Sequence, residues 1–449
     1  MSKSLHKRSF SITKSLSLFA EALEVLPAGT GSNARLLRAT CPIEIPCTIF
    51  IQRAHGAHIW DVDGNKYIDY RLGYGPVILG HGYKPVLRAV DKAEHDGIVY
   101  ALGNRLEVEL AKRINNYVPC AEMTRFANSG TEATMTALRI ARGFTKKERF
   151  IKFEGHFHGT NDYMLYSNDP PFKSRLNVPY VQSIGIPKDI QKYILIEEWN
   201  NFQSIERMVK KYHDQIAAII TEPIMGNAAA IMPKEGYLAH LRELCDDYNI
   251  VLIFDEVKTG FRIAMGGAQE VYHVKPDIAC LAKSLGNGYP IAAITGQHEF
   301  MELIGPGKVA HGGTYSSNPV SMAAALQTLH DLDHRDVHEY LSRFGTKMMQ
   351  GIHEVFLDNN IPHIVQGHPT MFQFLLTNRN HVENYRDLKH CDMKWYAKIH
   401  LELMKRGVMF DEDNEEVIFT CFSHTAEDRE KTLHALDASI KAIKIKPKV

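Results

Sequence analysis

"IVLIFDEVKTGFR", residues 250–262, is an apolar run that ends in two carboxylates, Asp255 and Glu256. A short apolar run of this kind is typical of a strand buried on both faces of a sheet. An acid at the end of such a strand has two interpretations. It caps the helix that follows by accepting hydrogen bonds from free backbone N–H groups, or it serves a ligand at the edge of the sheet. The residues at the ends of the neighbouring strands distinguish between these two interpretations.

The run lies in a region, about residues 125–300, where short apolar runs alternate with stretches of helical periodicity. This alternation predicts a parallel sheet covered by helices. The predicted strands are RFIKFEG, IAAIITEP, IVLIFDEV, DIACLAKS and PIAAITG, and the predicted helices include TEATMTALRIARGF and LAHLRELCDDY. From about residue 330 the pattern changes to long polar helices and short strands. We therefore expect an α/β protein with a large domain at 86–329, a small domain at 330–449, and an N-terminal segment at 1–85 that joins the small domain.

The composition of the chain makes some classes of binding partner unfavourable. Lys plus Arg and Asp plus Glu both total 52, so no overall charge favours nucleic acid or a membrane surface. No apolar run approaches the roughly 20 residues that a membrane helix needs. The seven cysteines are scattered without a C-x-x-C pair, which predicts reduced thiols and a cytoplasmic location. The basic, serine-rich first twenty residues also have the composition of an organellar transit peptide, but SLSLFAEALEVL, residues 15–26, predicts a helix of the folded body.

Three polar residues, Glu222, Asp255 and Lys283, each follow an apolar run and so lie on one rim of the predicted sheet. A lysine at such a position either extends its amine to water or has its pKa lowered by desolvation, which leaves an amine able to form an imine with a carbonyl. An imine-forming lysine beside a carboxylate suggests pyridoxal phosphate, because an acid keeps the pyridine nitrogen of that cofactor protonated. This cofactor gives Asp255 a function.

A phosphate site is also available. Ser129, Gly130 and Thr131, in "ANSGTEATMTALRIARG", lie where a loop becomes a helix, so free N–H groups and the positive end of the helix dipole would face an anion. An ordinary helix start is the alternative interpretation. The loop "HGGTYSSNP", residues 311–319, either offers further hydroxyls to a phosphate or is a plain turn.

Two other segments carry polar clusters. In "FEGHFHGTND", Phe157 is suited to lie flat on a cofactor ring, whereas His156 and His158 are not expected to chelate a metal, and we predict no metal site. The acidic run Asp411, Glu412 and Asp413 predicts a solvated loop.

Nine segments together resemble the class III pyridoxal-phosphate-dependent aminotransferases, which have the aspartate-aminotransferase-like fold (fold type I), and they are most similar to the branch containing glutamate-1-semialdehyde 2,1-aminomutase. The segments are PAGTGSNAR, WDVDGNKYIDY, GYGPVILGH, NSGTEATMTALRIARG, KFEGHFHG, TEPIMGN, IFDEVKTGFR, AKSLGNGYP and GGTYSSNP. The resemblance implies a large domain with a mostly parallel central sheet, a smaller α+β domain, and a homodimer with shared active sites.

The resemblance also implies roles for single residues. Lys283 would form the internal aldimine and then act as the base that moves protons, and Asp255 would pair with the pyridine nitrogen. Val257 would pack under the ring and Phe157 stack above it. The remaining cofactor-binding positions lie at the ring hydroxyl, at the phosphate or beside them: Asn227, His158, Glu222, Ser129, Gly130, Thr131 and, from the second subunit, Thr314.

On the substrate side, Ser32 and Arg35 match carboxylate contacts of the family, and Tyr74 and Glu416 match residues that line the pocket. The surroundings of Glu416, DEDNEEVIF, depart from the family's QFEAG, and Tyr74 stands where the mutase has Trp. These departures favour an aminotransferase acting on an amino-acid donor and a carbonyl acceptor. The alternatives are the aminomutase itself, in which the amino group moves within one molecule, and a non-catalytic binding subunit, against which Lys283 and Asp255 argue.

Overall fold

The computed structural model describes residues 10–41, 45–443 and 447. The first nine residues of the basic N-terminal segment lie outside them, and the helix expected at 15–26 is present. The α-helices are α1 (Thr13–Val25), α2 (Lys84–His95), α3 (Arg105–Tyr117), α4 (Gly130–Thr145), α5 (Phe202–Tyr212), α6 (Tyr237–Tyr248), α7 (Gly267–Tyr272), α8 (His298–Met301), α9 (Pro319–His334), α10 (Val337–Asp358), α11 (Met393–Lys405) and α12 (Ala426–Ala442). Short 3₁₀ helices lie at Pro27–Gly29, Asn33–Arg35, Lys188–Tyr193, Lys283–Gly286 and Tyr385–His390.

The β-strands form three sheets. They are β1 (Ile51–His55), β2 (His58–Asp61), β3 (Lys66–Asp69), β4 (Met123–Ala127), β5 (Arg149–Phe153), β6 (Ile194–Glu197), β7 (Ile216–Thr221), β8 (Val251–Glu256), β9 (Ile278–Leu281), β10 (Ala292–Gly296), β11 (His363–His368), β12 (Met371–Leu376), β13 (Val408–Met409) and β14 (Ile418–Phe419).

The central sheet has seven strands in the order β4-β10-β9-β8-β7-β5-β6. Neighbouring strands from β9 to β6 are parallel, and β10 is antiparallel to both β9 and β4. The five strands predicted from the sequence are confirmed, and β4 and β6 are additional. Strands β7 and β8 are buried at every position, as expected for parallel strands covered on both faces.

Successive residues of β8 pack on opposite faces of this sheet. Leu252 and Phe254 join the core formed with α5 and α6, whereas Val251 and Ile253 join the core formed with α4. The side chains of a strand alternate with a period of two, so Asp255 points to the α4 face. This register brings the acid and the beginning of α4 to the same side of the sheet.

The N-terminal and C-terminal parts of the chain share a core. Ile68 and Tyr70 pack with residues of α10, α11 and α12, and β13 pairs in parallel with β3. Helix α9 runs through the predicted boundary between residues 329 and 330. The domain limits 1–85, 86–329 and 330–449 stay a prediction.

The expectation that all seven cysteines are reduced is wrong for one pair. Cys41 and Cys47 form a disulfide with Cα atoms 5.7 Å apart, and two backbone hydrogen bonds join Leu37 and Cys47. The other five cysteines are free. Among the residues that the structure describes, no helix is long and apolar enough to cross a membrane.

Candidate active site

The carboxyl ends of the parallel strands bring most of the predicted cofactor residues to one rim. Ser129 follows β4, His158 follows β5, Glu222 follows β7 and Lys283 follows β9, while Asp255 is the penultimate residue of β8. Ligands of open α/β sheets bind at this edge. The rim is therefore the candidate active site.

Asp255 is buried, with 4% of its surface exposed. The Nδ1 atom of His158 donates to its Oδ2 at 2.7 Å, and the backbone N–H of Val257 donates to its Oδ1 at 3.1 Å. Burial raises the pKa of Asp255 to about 7. Burial also lowers the pKa of His158 well below 6.5, so the imidazole that orients the carboxylate is neutral. Asp255 is thus held in place while its negative charge lacks a bound cation.

Lys283 begins the 3₁₀ helix that follows β9, and its φ of +47° lies in the left-handed region. A non-glycine residue in that region costs of order 1–3 kcal/mol and is often found at functional sites. Burial lowers the pKa of its ammonium group to about 7, the charge of Lys258 adds to this, and Glu416, Glu222 and Asp255 oppose it. A large fraction of Lys283 is consequently an uncharged amine at neutral pH.

Glu222 fixes the loop that faces Asp255. It accepts hydrogen bonds from the backbone N–H of Phe157 at 2.8 Å, from that of Gly226 at 2.9 Å, and from Nδ2 of Asn227 at 3.2 Å. Burial and then the charge of Asp255 raise the pKa of Glu222 to about 7. Phe157 is 40% exposed, so part of its surface is open to a ligand.

The beginning of α4, residues 129–131, is the predicted anion cradle. Ser129 is the N-cap, its Oγ accepting from the backbone N–H of Glu132 at 3.3 Å, and the first N–H groups of a helix have no partner within it. A Cβ added at Gly130 would lie 3.0 Å from Cγ2 of Val257. Thr131 Oγ1 accepts from the backbone N–H of Thr160 at 3.2 Å. The cradle therefore packs directly against the strand end that carries Asp255.

The two histidines of the rim form hydrogen bonds with protein groups. His156 Nδ1 accepts from the backbone N–H of Glu222 at 3.0 Å, and His158 donates to Asp255. Their Nε2 atoms are buried and have no hydrogen-bond partner. Within the described ranges no group of three or more His, Cys, Asp or Glu side chains is placed to hold a metal ion.

The family model for aminotransferase class-III matches residues 42–442 of the chain. The chain belongs to this family. This membership confirms the resemblance and the expected fold, and with them a pyridoxal-phosphate-dependent enzyme.

Similar proteins fall in two groups. Glutamate-1-semialdehyde 2,1-aminomutase of Methanococcus maripaludis is 39% identical over 96% of this chain and 98% of its own length, and that of Methanocaldococcus jannaschii is 40% identical over 94% and 97%. An omega-transaminase from Sphaerobacter thermophilus has a structure that matches with a TM-score of 0.88 at 28% identity, over 95% of this chain and 97% of its own.

Among the predicted substrate residues of this class-III aminotransferase, Tyr74 donates to the backbone oxygen of Ala34, and the guanidinium of Arg71 lies 5.0 Å from the centre of the Tyr74 ring. Arg71 also forms an ion pair with Asp411 at 2.7 Å. Ser32 and Arg35 are exposed, and within the described part of the chain the guanidinium of Arg35 has no hydrogen bond or ion pair. The sequence reasoning missed Arg71, which lies three residues before Tyr74.

Glu416 is held by a lysine that was also missed. Lys258 is buried, and its Nζ donates to Glu416 and, at 2.6 Å, to the backbone oxygen of Gly226. A Cβ at Gly226 would lie 2.4 Å from Cδ of Lys258, so the loop after β7 is fitted to this side chain. The sequence "DEVK" could have indicated this lysine, because Lys258 follows Asp255 by only three residues.

Thr314 does not lie with the other predicted cofactor residues. It is exposed, in a loop that lines a separate cavity of about 830 Å³ together with Leu102 and Asn318. The described contacts do not join it to Asp255 or Lys283.

Of the acidic run only Asp413 is exposed, so the expectation of a solvated loop is wrong for Asp411 and Glu412. Asp411 and Glu412 are only 8% and 9% exposed. Arg71 pairs with Asp411, and the Glu412 carboxylate accepts from the backbone N–H groups of residues 38–40 and from Thr40 Oγ1. These donors offset the loss of water, which charge alone could not indicate.

Proposed function

We propose that this enzyme is an aminotransferase that moves an amino group from an amino-acid donor to a carbonyl acceptor. The observation that carries the proposal is a buried acid near the end of one strand and, just after the adjacent parallel strand, a lysine whose pKa is lowered to about 7. A proton carrier is most effective when its pKa lies near the working pH. Lys283 meets this condition.

The residues of the rim fit pyridoxal phosphate. When bound, this cofactor supplies an aldehyde that condenses with amines and a protonated ring that accepts electrons. The N–H groups at the start of α4, with Ser129 and Thr131, would hold its phosphate. Asp255 lacks a cation and has a raised pKa, so it would hold the proton of the ring nitrogen. Val257 and Phe157 would bound the two faces of the ring, with Asn227 near its hydroxyl.

The side chains of the protein have separate roles in this reaction. Lys283 Nζ accepts and returns a proton beside the donor's α-carbon. His158 keeps the Asp255 carboxylate oriented through the 2.7 Å hydrogen bond, and Glu222 keeps the Phe157–Asn227 side closed through its three donors. Ser32 and Arg35 would receive the donor carboxylate, with Tyr74 and Glu416 bordering the pocket. Arg35 is available because its guanidinium has no partner in the described residues.

A second candidate is the aminomutase activity, which the identity of 39–40% to glutamate-1-semialdehyde 2,1-aminomutases favours. The sequence around Glu416, DEDNEEVIF, favours the aminotransferase, because it departs from the family's QFEAG. A single-substrate assay separates the two, because a mutase turns over repeatedly with glutamate 1-semialdehyde alone. An aminotransferase stops after one equivalent of donor until an acceptor is added. Sustained turnover without acceptor would refute the first proposal.

We also infer a homodimer in the cytoplasm. The loop around Thr314 and the neighbouring segment expose large apolar side chains, among them Leu102 at 85% and Tyr315 at 64%. Exposed apolar patches of this kind mark interaction surfaces. Thr314 would thereby reach the phosphate of the second subunit. Five free cysteines support a reducing compartment, whereas the Cys41–Cys47 disulfide opposes it. Thiol labelling of Cys41 and Cys47 in freshly lysed cells tests the inference.

A further inference from the structure

The turn that carries Ser32 and Arg35 is held by few contacts. Residues 31–35 are all exposed, so no buried side chain among them fixes the position of the turn. Its own hydrogen bonds are local: the backbone N–H of Arg35 donates to the oxygen of Ser32 at 3.0 Å, and that of Leu36 donates to the oxygen of Asn33 at 3.2 Å. An exposed turn of this kind needs a contact with the rest of the protein to keep a defined position.

This contact is made at the backbone oxygen of Ala34, the central residue of the turn. Tyr74 Oη donates to this oxygen, and Nη2 of Arg71 donates to it at 3.4 Å. Among the hydrogen bonds between described residues, these are the only two that join residues 30–36 to another part of the chain. The position of the turn therefore depends on Tyr74 and Arg71.

The hydroxyl group of Tyr74 is oriented from its other side. Nη2 of Arg71 donates to Tyr74 Oη and forms the 2.7 Å ion pair with Asp411. Because Tyr74 Oη accepts from Arg71, its own proton is left for Ala34. Withdrawal from water raises the pKa of Tyr74 to about 12, so the hydroxyl group keeps this proton at neutral pH. One polar chain thus runs from Asp411 to Ala34.

The loop that carries Tyr74 has an unusual backbone. Tyr74 has a φ of +68° and Leu72 a φ of +46°, and residues other than glycine rarely adopt this left-handed conformation. Such a conformation persists where the surrounding contacts determine it, and it is often found at functional sites. Here Asp69 Oδ1 accepts from the backbone N–H groups of Arg71 at 2.9 Å and Leu72 at 3.0 Å. The loop is therefore a fixed support from which Tyr74 reaches the turn.

The segment that follows the turn is tied to the same part of the protein. The Glu412 carboxylate accepts from the backbone N–H groups of residues 39 and 40 at 3.1 and 3.0 Å. Asp411, the residue before it, forms the ion pair with Arg71. Two adjacent carboxylates therefore anchor the chain on both sides of Arg35.

We propose that Tyr74 is a positioning residue for donor recognition: its hydroxyl group, oriented by Arg71, holds the turn in the place where Arg35 receives the donor carboxylate. This role rests on the proposed function, in which Arg35 is the carboxylate contact. The resemblance to the family implies only that Tyr74 lines the pocket, a role that its ring alone would fill. Tyr74→Phe separates the two roles, because it keeps the ring and removes the donor.

The first experiment measures hydrogen exchange of the holoenzyme by mass spectrometry on the millisecond-to-second scale. In Tyr74→Phe, the amides of residues 35 and 36 should exchange about fivefold faster, because a hydrogen bond between neutral groups is lost. The matched control is Tyr117→Phe, which removes a hydroxyl group that donates to Asp333 between α3 and α9, and it should leave this exchange unchanged. Exchange that is also unchanged in Tyr74→Phe overturns the proposal.

The second experiment follows the half-reaction of the holoenzyme, without acceptor, by the visible absorption of the cofactor. The donors are 2-aminobutyrate and propylamine, which has the same carbon chain without the carboxylate. Tyr74→Phe should raise the half-saturating concentration of 2-aminobutyrate about fivefold and change its limiting rate, and both constants for propylamine, by less than twofold. A general loss of structure would affect the two donors alike, so equal changes for both overturn the proposal.

Arg35→Lys tests whether Tyr74 acts through Arg35. If it does, most of the loss caused by Tyr74→Phe should disappear in the Arg35→Lys background, because the two effects are then coupled. A loss of full size in that background overturns the proposal. Absence of a half-reaction with every amino donor would refute the proposed function, and the exchange experiment would still decide whether Tyr74 holds the turn.

Discussion

Replacing Asp255 with Asn should make the protein without cofactor more stable at alkaline pH while abolishing its activity. Asp255 is 4% exposed and its carboxylate receives hydrogen bonds without a neutralising cation. Asn is nearly isosteric and carries no charge, so it removes the cost of ionising a buried carboxyl group. The neutral His158 can shift its proton to Nε2 and accept from the new amide, which preserves the contact.

The expected gain follows from the pKa. Asp255 has its pKa raised from 3.8 to about 7 in the folded protein, so between these values the folded state binds a proton that the unfolded state has lost. Stability therefore falls as the pH rises from about 4 to about 7, and the penalty is complete above 7. At about 1.4 kcal/mol for each pKa unit, it amounts to roughly 4 kcal/mol above pH 7 and less than half of that at pH 5.

The assay is urea unfolding of both proteins without cofactor, at pH 5 and pH 8.5 and at one protein concentration. The stability of Asp255→Asn relative to the wild type should rise by about 2–3 kcal/mol between the two pH values. This difference does not depend on any pH-independent free-energy cost of packing the Asn amide in place of the Asp255 carboxyl group. Asp247→Asn, on the exposed end of α6, is the matched control and should show no such change.

With cofactor added, the same variant should lose several orders of magnitude in turnover, because a neutral amide cannot hold the ring nitrogen protonated. A relative stability that is constant or falls with pH would refute the raised pKa of Asp255. Near-normal turnover would refute its role.

Three further outcomes are expected. Borohydride reduction of the protein with pyridoxal phosphate should place the adduct on Lys283 by mass spectrometry, and an adduct on another lysine would contradict the assignment. Mixed dimers of inactive Lys283→Ala and inactive Thr314→Ala chains should regain part of the activity, whereas an active monomer in sedimentation would rule out a shared site. Arg35→Lys should lower kcat/KM for carboxylated donors by about 1–3 kcal/mol and spare amines without a carboxylate, so equal losses for both donors would remove Arg35 from the site.

The cofactor side of the site could be predicted because its signals are local. An apolar run followed by an acid or a lysine marks the strand ends at Asp255 and Lys283, and a hydroxyl before a helical pattern marks the start of α4 at Ser129. Strand order and direction then place these ends on one rim. Strand β4 escaped prediction, since Met123–Ala127 carries polar residues among the apolar ones.

Contacts between distant segments could not be predicted. Lys258 and Glu416 are 158 residues apart, and no local pattern records their pairing. The burial of Glu412 depends on backbone donors 372–374 residues away, so its charge alone indicated the wrong environment. The Cys41–Cys47 disulfide closes a spacing that matches no motif.

The groups assigned to cofactor and substrate belong to different parts of the structure. Asp255, Lys283 and the start of α4 lie at the ends of strands of the central sheet, whereas the segments 32–35, 71–74 and 411–416 lie outside it. During evolution, mutations in these segments can accumulate one at a time while the chemistry at Lys283 is retained. Enzymes with unlike substrates can therefore arise from one ancestor through a series of active intermediates.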